Sequence, residues 1–578
     1  MAGKGFDFDF LGEFQRNWNI AQRSWKIGTK WGRMYAGNRA RERIREELGR
    51  EVADAVYEAV AAGRDPGPII NRARKDLAAR KEREALLANP PDIHGSATWP
   101  TAAELTKFLR PREAFDDPRS ILLGAFCEED SSALVGFVHW DDDGHLMTLA
   151  PSRQGKALTT IIPNLLRYRG SVIVLDPKSE LYEATSAWRR ANVGPVYRIA
   201  PFHDDRDPVT RGFPRHRYNP LTRIRTQSDA RSLAEQLFPR DPKAPEFFAE
   251  DAVAFVTALI MHILDKAPPE RAHLAAVRQA TALPLPAFEA LVGEMAKSGR
   301  ASVRDAANNV LGKDKGRGVP NLRDTLNTKF SMWSADEIQR VVTGHDFDFE
   351  GLKDRPATVY IDVPFDLIEP HAAFIRMLFK SALDAMLRNR TVPKIPVLFL
   401  YDEFLSLGPF PEAQKAIRTH AGAGVRFWFF LQNVGDLKAN YPNETWASFF
   451  NCAVKQYFGI DDDDTAGVVS RMLGPKTVAY RSTNAGANVS VQMGNWETDG
   501  SAGVSFSSGE SVQFTGRPLL TPDEVQLLLS GWGADGTRES IVKLRGPRAF
   551  KAKITVWNES ATCRARVGAY RDAGDRTG

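Results

Sequence analysis

The segment Ala150-Pro-Ser-Arg-Gln-Gly-Lys-Ala157 follows the apolar run His145–Leu149 and leads into the helical stretch KALTTII, which begins at Lys156. Strand, loop, helix is the setting in which backbone N–H groups and a helix N-terminus cradle phosphate oxygens. The amides of Ser152, Arg153, Gln154, Gly155, Lys156, Ala157 and Leu158 would line such a cradle, with the Lys156 ammonium reaching the β- and γ-phosphates of ATP. Against the full G-x-x-x-x-G-K-[ST] pattern, Ala150 stands for the first glycine. Ala157 stands for the hydroxyl residue that would touch Mg²⁺, and Thr159 and Thr160 lie beyond that position. A lone Gly-Lys pair also fits a surface turn.

A second segment, Val397–Tyr401, is an apolar run that ends in two adjacent acids, Asp402 and Glu403. Charges at the end of a buried strand cost desolvation unless they are used. In a phosphate-loop ATPase the first acid holds Mg²⁺ and the second polarises the attacking water. Two solvated acids at an ordinary strand end are the plain alternative, and the order of the two segments weakens it. The next apolar run, Val425–Leu431, ends in Gln432, an amide placed to sense the γ-phosphate or its water. Alone, such a glutamine is also an ordinary hydrogen-bonding group.

These residues need strands to hold them. The apolar runs are His145–Leu149, Ser171–Leu175, Val196–Ile199, Thr358–Val363, Val397–Tyr401, Val425–Leu431 and Val454–Phe458. Several are continuous, as parallel strands covered on both faces require, and they alternate with helical stretches. This predicts an α/β fold, a mostly parallel sheet with helices on both faces. Residues 226–332 carry only helical pattern and read as an all-α insertion, which splits the nucleotide-binding domain into 91–225 and 333–563. Within the insertion, Lys297–Lys329 holds eight basic and three acidic residues around the loop Gly312–Gly318; solvated charge explains it, and a DNA-facing loop is the sharper reading. Residues 483–516, rich in Gly, Ser, Asn and Val, read as a β-hairpin excursion or an irregular loop, and 564–578 as a polar, mobile tail.

The chain has 578 residues, 43% hydrophobic and 26% charged, which excludes disordered and fibrous classes. Three cysteines without metal-ligand spacing suit a reducing compartment. No apolar run reaches the length of a membrane span; the longest, Ala252–Leu264, reads as a buried helix. The net charge of +5 conceals a concentration, because residues 16–45 hold nine basic residues against one acid. On a helical wheel Phe10, Phe14, Trp18, Ala21 and Trp25 share one face, with Arg16, Arg23, Lys26 and Lys30 opposite. Residues 1–90 therefore form a helical, basic-aromatic region. Its stripe either packs on its own protein or, through residues 10–45, lies on an anionic membrane surface or a membrane partner.

Taken together, APSRQGKALTTIIPNLL (150–166), SVIVLDPKSELYEATSAWRR (171–190), YNPL (218–221), LFLYDEFLSLGPFPE (398–412), AGAGVRFWFFLQNVGDLKANY (421–441) and RPLLTPDEV (517–525) resemble the conjugative coupling proteins of type IV secretion, of the TraG/TraD kind. The resemblance covers about residues 120–560. It implies a RecA-like ATPase core with an all-α domain, a homo-hexameric ring around a channel, and delivery of single-stranded DNA to the secretion channel with a relaxase-bound substrate. By motif matching it implies Lys156 as the phosphate lysine, Asp402 as the Mg²⁺ acid, Glu403 as the catalytic acid and Gln432 as the sensor. It also implies that Asp176 and Lys178 are supporting groups, and that a small residue at Ala157 is tolerated.

The sequence departs from the family in lacking N-terminal transmembrane helices, so a partner or the basic arm must anchor it; the expected place is cytoplasmic, peripheral at the inner face of the bacterial inner membrane. Arg418 and Arg426 are candidates for a trans arginine finger, and Arg426 serves equally as a packing residue. The leading expectation is an ATP-driven DNA motor. A receptor scaffold for protein cargo with weak or no turnover is the alternative, favoured by the missing hydroxyl. A septal-type double-stranded DNA pump fits the Asp-Pro-Lys-Ser-Glu and Asn-Pro-Leu segments less well.

Overall fold

The computed structural model describes residues 41–111, 116–128, 133–208, 210–238, 246–314, 317–492, 501–534 and 536–574. The aromatic-basic stripe from Phe10 to Lys30 lies outside them, as do Lys315 and Gly316 of the basic loop. The chain divides into two units, residues 1–96 with 475–517, and residues 97–474 with 518–578.

The first strands in chain order are β1 (Leu109–Arg110), β2 (Ile121–Cys127), β3 (Leu134–Trp140), β4 (Leu146–Leu149) and β5 (Val172–Leu175). They are followed by β6 (Val196–Ile199), β7 (Thr358–Ile361), β8 (Val397–Tyr401), β9 (Val425–Leu431) and β10 (Val454–Tyr457). The last are β11 (Pro475–Gln492), β12 (Ser501–Pro518), β13 (Thr537–Leu544) and β14 (Phe550–Thr555).

Twelve of them make one sheet in the larger unit, in the order β1-β3-β2-β14-β13-β10-β4-β9-β8-β5-β7-β6. From β10 to β6 every pair is parallel. From β1 to β10 every pair is antiparallel. The parallel strands are the apolar runs read from the sequence, and their alternate side chains enter two cores. Met147, Leu149, Ile173, Leu175, Phe399, Tyr401 and Phe429 pack on one face. Leu146, Val172, Val174, Leu398, Leu400, Trp428 and Phe430 pack on the other. Burial on both faces is why these strands carry no polar alternation.

Between β6 and β7 the described residues hold helices and turns and no strand, from Gln227–Leu237 through Glu246–Lys266 to Asp336–Val342. The first of these starts at a capping box in which Thr226 and Asp229 satisfy each other's backbone N–H. Ala252, Phe255, Val256, Leu259 and Ile260 of the Glu246–Lys266 helix are buried, and they share the sheet's first core with Tyr218, Phe330 and Trp333. The Asn219 side chain of the Tyr-Asn-Pro-Leu segment accepts from Leu221 N at 3.1 Å and donates to Ala272 O at 2.8 Å, so that motif is a structural clasp.

Two regions differ from the sequence reading. The antiparallel half of the sheet carries no continuous apolar run. The segment from Arg564, expected to be a mobile tail, belongs to the helix Ala561–Gly574. Cys563 and Val567, one turn apart, are buried in the second core. The Arg566 guanidinium lies 5.1 Å from the Trp188 ring centroid and donates to Leu166 O at 2.6 Å.

In the smaller unit, helices Arg50–Ala61 and Gly67–Ala88 bury Ala53, Val56 and Ile70 with Ile44. Arg74 pairs with Glu47 at 2.8 Å. Strands β11 and β12 pair with each other as a two-stranded sheet, the hairpin alternative for the Gly/Ser-rich excursion.

Candidate active site

The three segments singled out by sequence meet at the C-terminal edge of the parallel strands, where open α/β sheets bind ligands. Strand β4 pairs with β9 (Leu149 opposite Leu431), and β9 with β8 (Tyr401 opposite Phe429). The loop after β4, the acids after β8 and the glutamine after β9 are thereby neighbours.

The loop turns through two left-handed residues, Arg153 (φ 62°) and Gly155 (φ 79°). It then enters a single π-helical turn, Ala157–Ile161, which continues as an α-turn, Ile162–Leu165. π-turns are rare and concentrate at functional sites. Ser152, Arg153 and Leu158 are exposed, whereas Lys156 is buried. The Lys156 ammonium donates to Ala150 O at 3.1 Å and stands 3.5 Å from Glu403 Oε1. Thr159 does not stand in for the hydroxyl missing at Ala157, because its Oγ1 donates to Gly155 O at 2.9 Å.

Asp402 is buried at the end of β8, and its Oδ1 meets no hydrogen-bond donor. Burial, reinforced by the Glu403 charge and opposed by Lys156, pushes its carboxyl up to about 7. Glu403 takes a left-handed backbone (φ 55°), uncommon for any residue but glycine. That turn aims its carboxylate at the loop, where Oε1 faces Lys156 and Oε2 accepts from Gln432 Nε2 at 2.9 Å. Lys156, Glu403 and Gln432 thus form one connected line, with Asp402 beside it.

The Asp-Pro-Lys-Ser-Glu segment serves the frame. Asp176, fully buried at the end of β5, accepts from Leu181 N and Tyr182 N at 3.3 and 2.8 Å and so holds the start of the helix Glu180–Asn192. Burial and the Asp362 charge raise its carboxyl well above the usual range. Asp362 in turn accepts from Ser179 Oγ and Arg198 Nε, each at 2.6 Å. Lys178 is exposed, and its charge favours the ionised form of Asp402.

Of the two candidate fingers, Arg426 is 2% exposed at the start of β9 and donates to the carbonyls of Asp141 and Asp142, at 3.4 and 2.9 Å. That makes it a packing residue, unable to reach another subunit. Arg418 is exposed on the helix Pro411–Thr419.

The sequence reading missed the other flank of the loop. Arg538, from β13, donates to Gln154 O at 2.9 Å, and Gly459, after β10, takes φ +67° with the Gln154 side chain occupying the space a Cβ would need. Trp532 lies beside Gly155. The one sequence signal is Gly531-Trp532-Gly533, the sole aromatic between Phe514 and Phe550.

The donor set fits MgATP. A buried carboxylate oxygen without a donor suits a cation, and a loop with a lysine at a helix start suits phosphates. Among the described residues no group of three or more His, Cys, Asp or Glu could hold a metal ion. One carboxylate plus substrate phosphates is the usual manner of holding Mg²⁺.

Comparison with known proteins gives the family and the fold. The profile of the family "Type IV secretory system Conjugative DNA transfer" matches residues 112–575. Protein VirD4 of Agrobacterium fabrum (strain C58 / ATCC 33970) is 27% identical over 509 residues, 83% of this chain and 71% of that protein. Conjugal transfer protein TraG of Escherichia coli is 26% identical over 480 residues, 75% of this chain and 70% of that protein. The chain spans 60–71% of the length of three VirD4 proteins. Among solved structures, the conjugative coupling protein TrwBΔN70 in its unbound monoclinic form has a TM-score of 0.51 at 16% identity, covering 71% of this chain and 84% of that one. TrwB in complex with the non-hydrolysable ATP analogue ADPNP gives 0.51 at 16% identity, over 71% and 85%. Those two show the same fold. Among the described residues no helix is long and apolar enough to cross a membrane. With four-fifths of its length matched by that profile, the chain belongs to the type IV secretory system conjugative DNA transfer family, the coupling proteins of type IV secretion.

Proposed function

We propose that this coupling protein is an ATP-driven motor that recruits relaxase-bound DNA and moves its single strand into a type IV secretion channel, acting as a homo-hexamer. The observation that carries the reading is the line Lys156–Glu403–Gln432 with the donor-free Asp402 beside it. In that role the amides of the 152–158 loop and Lys156 hold the phosphates, and Asp402 holds Mg²⁺. Mg²⁺, when bound, offsets charge on the β- and γ-oxygens. Glu403 takes the proton of the attacking water, and Gln432 fixes the Glu403 carboxylate while sensing the γ-phosphate. DNA contact through basic loops is salt-sensitive and largely independent of sequence. The basic-aromatic region ahead of residue 46 supplies attachment to an anionic membrane surface or a membrane partner.

A scaffold with weak turnover is the second reading, favoured by Ala157 and by the engagement of Thr159 on the Gly155 carbonyl. One measurement separates them. Turnover by the purified chain should rise on adding single-stranded DNA and vanish in Lys156→Ala and Glu403→Gln. Background turnover in the unaltered chain, with and without DNA, sinks the motor.

A further inference from the structure

The sheet order gives the ATP site a direction. Strand β4 lies between β9 and β10, with Leu149 opposite Leu431 on one side and Tyr457 on the other. Asp402, Glu403 and Gln432 all lie on the β9–β8 side. A triphosphate whose γ end meets those residues must leave its nucleoside on the opposite flank, over the ends of β10 and β13.

That flank is a built structure. Gly459, just after β10, donates its N–H to Leu529 O at 2.9 Å. Arg538 is 3% exposed and donates three ways, to Gln154 O (2.9 Å), Ser530 O (3.2 Å) and Gly531 O (3.4 Å). One arginine thus ties the phosphate loop to the start of the Gly-Trp-Gly segment. Its guanidinium lies 4.7 Å from the Trp532 ring centroid. A Cβ placed on Gly155 would stand 3.6 Å from Trp532 Cζ2, so the ring also rests against the phosphate loop. Yet Trp532 is 44% exposed and belongs to neither core of the sheet. A large apolar ring with a cation behind it, anchored at a phosphate loop and open to solvent, is a stacking platform lacking its second layer.

We infer that Trp532 stacks on the base of the bound nucleoside triphosphate, with Arg538 holding the ring in place; this rests on the ATP site proposed above. A base stacked on an aromatic side chain gains through its π-face, whichever base it is.

The test uses the full chain and calorimetric titration with MgATP and with inorganic tripolyphosphate, which has no base. Trp532→Ala should weaken MgATP binding about tenfold, equivalent to about 1.4 kcal/mol, and leave tripolyphosphate binding within about twofold. Trp532→Phe should keep most of the affinity for MgATP. Unchanged MgATP affinity in Trp532→Ala overturns the stacking. So does an equal loss for both ligands, which would make the tryptophan a prop for the loop. So does a loss confined to single-stranded DNA. Lys156→Ala separates the two levels: MgATP affinity unmoved by that change overturns the site itself. Affinity lost with Lys156→Ala but unmoved by Trp532→Ala overturns the stacking alone.

Discussion

Replacing Asp402 by Asn should stabilise the nucleotide-free protein, increasingly so as pH rises, while abolishing turnover. The carboxyl is buried, its Oδ1 meets no donor, and Glu403 is adjacent, so its pKa moves from 3.8 to about 7. The folded value lies above the unfolded one. Between about pH 4 and 7 the native state therefore keeps a proton that the unfolded chain has released, and stability falls as pH rises through that window. Above about 7 the whole penalty is present. A shift of about three units at about 1.4 kcal/mol each makes it about 4 kcal/mol. The Asn amide is itself left without partners, at about 1–3 kcal/mol, so the net gain at pH 8 is about 2 kcal/mol. For a unit of this size that is a rise in Tm of about 2–4 °C. At pH 5 the penalty falls to about 1–2 kcal/mol and the gain disappears.

Differential scanning calorimetry in chelator at pH 5, 7 and 8, at one scan rate, reads this directly. A structural acid, held by partners, would behave in the opposite way and lose stability on substitution. Asp402→Asn melting below the unaltered chain at pH 8, or a gain that does not vary with pH, refutes the reasoning. Either outcome would mean that the native carboxylate is compensated and is not held ready for a cation.

Glu403→Gln should lower phosphate release by about 100-fold or more, the usual scale of a general base, while MgATP titration shows affinity retained. Asp362→Ala strands the buried Arg198 guanidinium, now 2.6 Å from Asp362 Oδ2, and should cost about 3–5 kcal/mol, seen as a fall in denaturant midpoint. Arg418, exposed beyond the second acid, should act across a subunit boundary. Separately inactive Arg418→Ala and Lys156→Ala chains should then recover part of the turnover when mixed, and no recovery at any ratio excludes the arginine. Arg426→Ala should instead lower Tm, because Arg426 is buried on the carbonyls of Asp141 and Asp142.

How much of this was legible follows from where each element is buried. The parallel strands are covered on both faces, so β4, β5, β7 and β8 read as mainly apolar runs and β9 does so after Arg426. The antiparallel strands hide behind residues that break that signal. Gly124 sits in mid-β2 at φ +142° because a Cβ there would meet Lys553 O at 2.8 Å, and a glycine inside an apolar run weakens a strand reading. In β13 and β14, Arg538, Lys543, Lys551 and Lys553 interrupt the pattern, and Arg538 is buried only because three carbonyls receive it. Lys156, Asp402, Glu403 and Gln432 were legible because each follows a mainly apolar strand. Trp532 was not. Its place beside Gly155 depends on the antiparallel pairing of β13 with β10, a contact between distant parts of the chain that neither segment announces.

The contacts now made inside the site are those an incoming triphosphate would replace. Lys156 is engaged by Ala150 O and faces Glu403, and Glu403 is engaged by Gln432. Phosphate oxygens carry more charge than either partner of Lys156, so they draw the ammonium away from Glu403. The Gln432 bond keeps the Glu403 carboxylate aimed throughout. The left-handed backbone at Glu403 costs about 1–2 kcal/mol, and it accompanies a carboxylate that faces the loop lysine. In the proposed motor, losing Gln432 would therefore cost the aim of Glu403 and leave the lysine in place. It follows that Gln432→Ala should weaken turnover far more than affinity, since Gln432 touches the base and not the lysine.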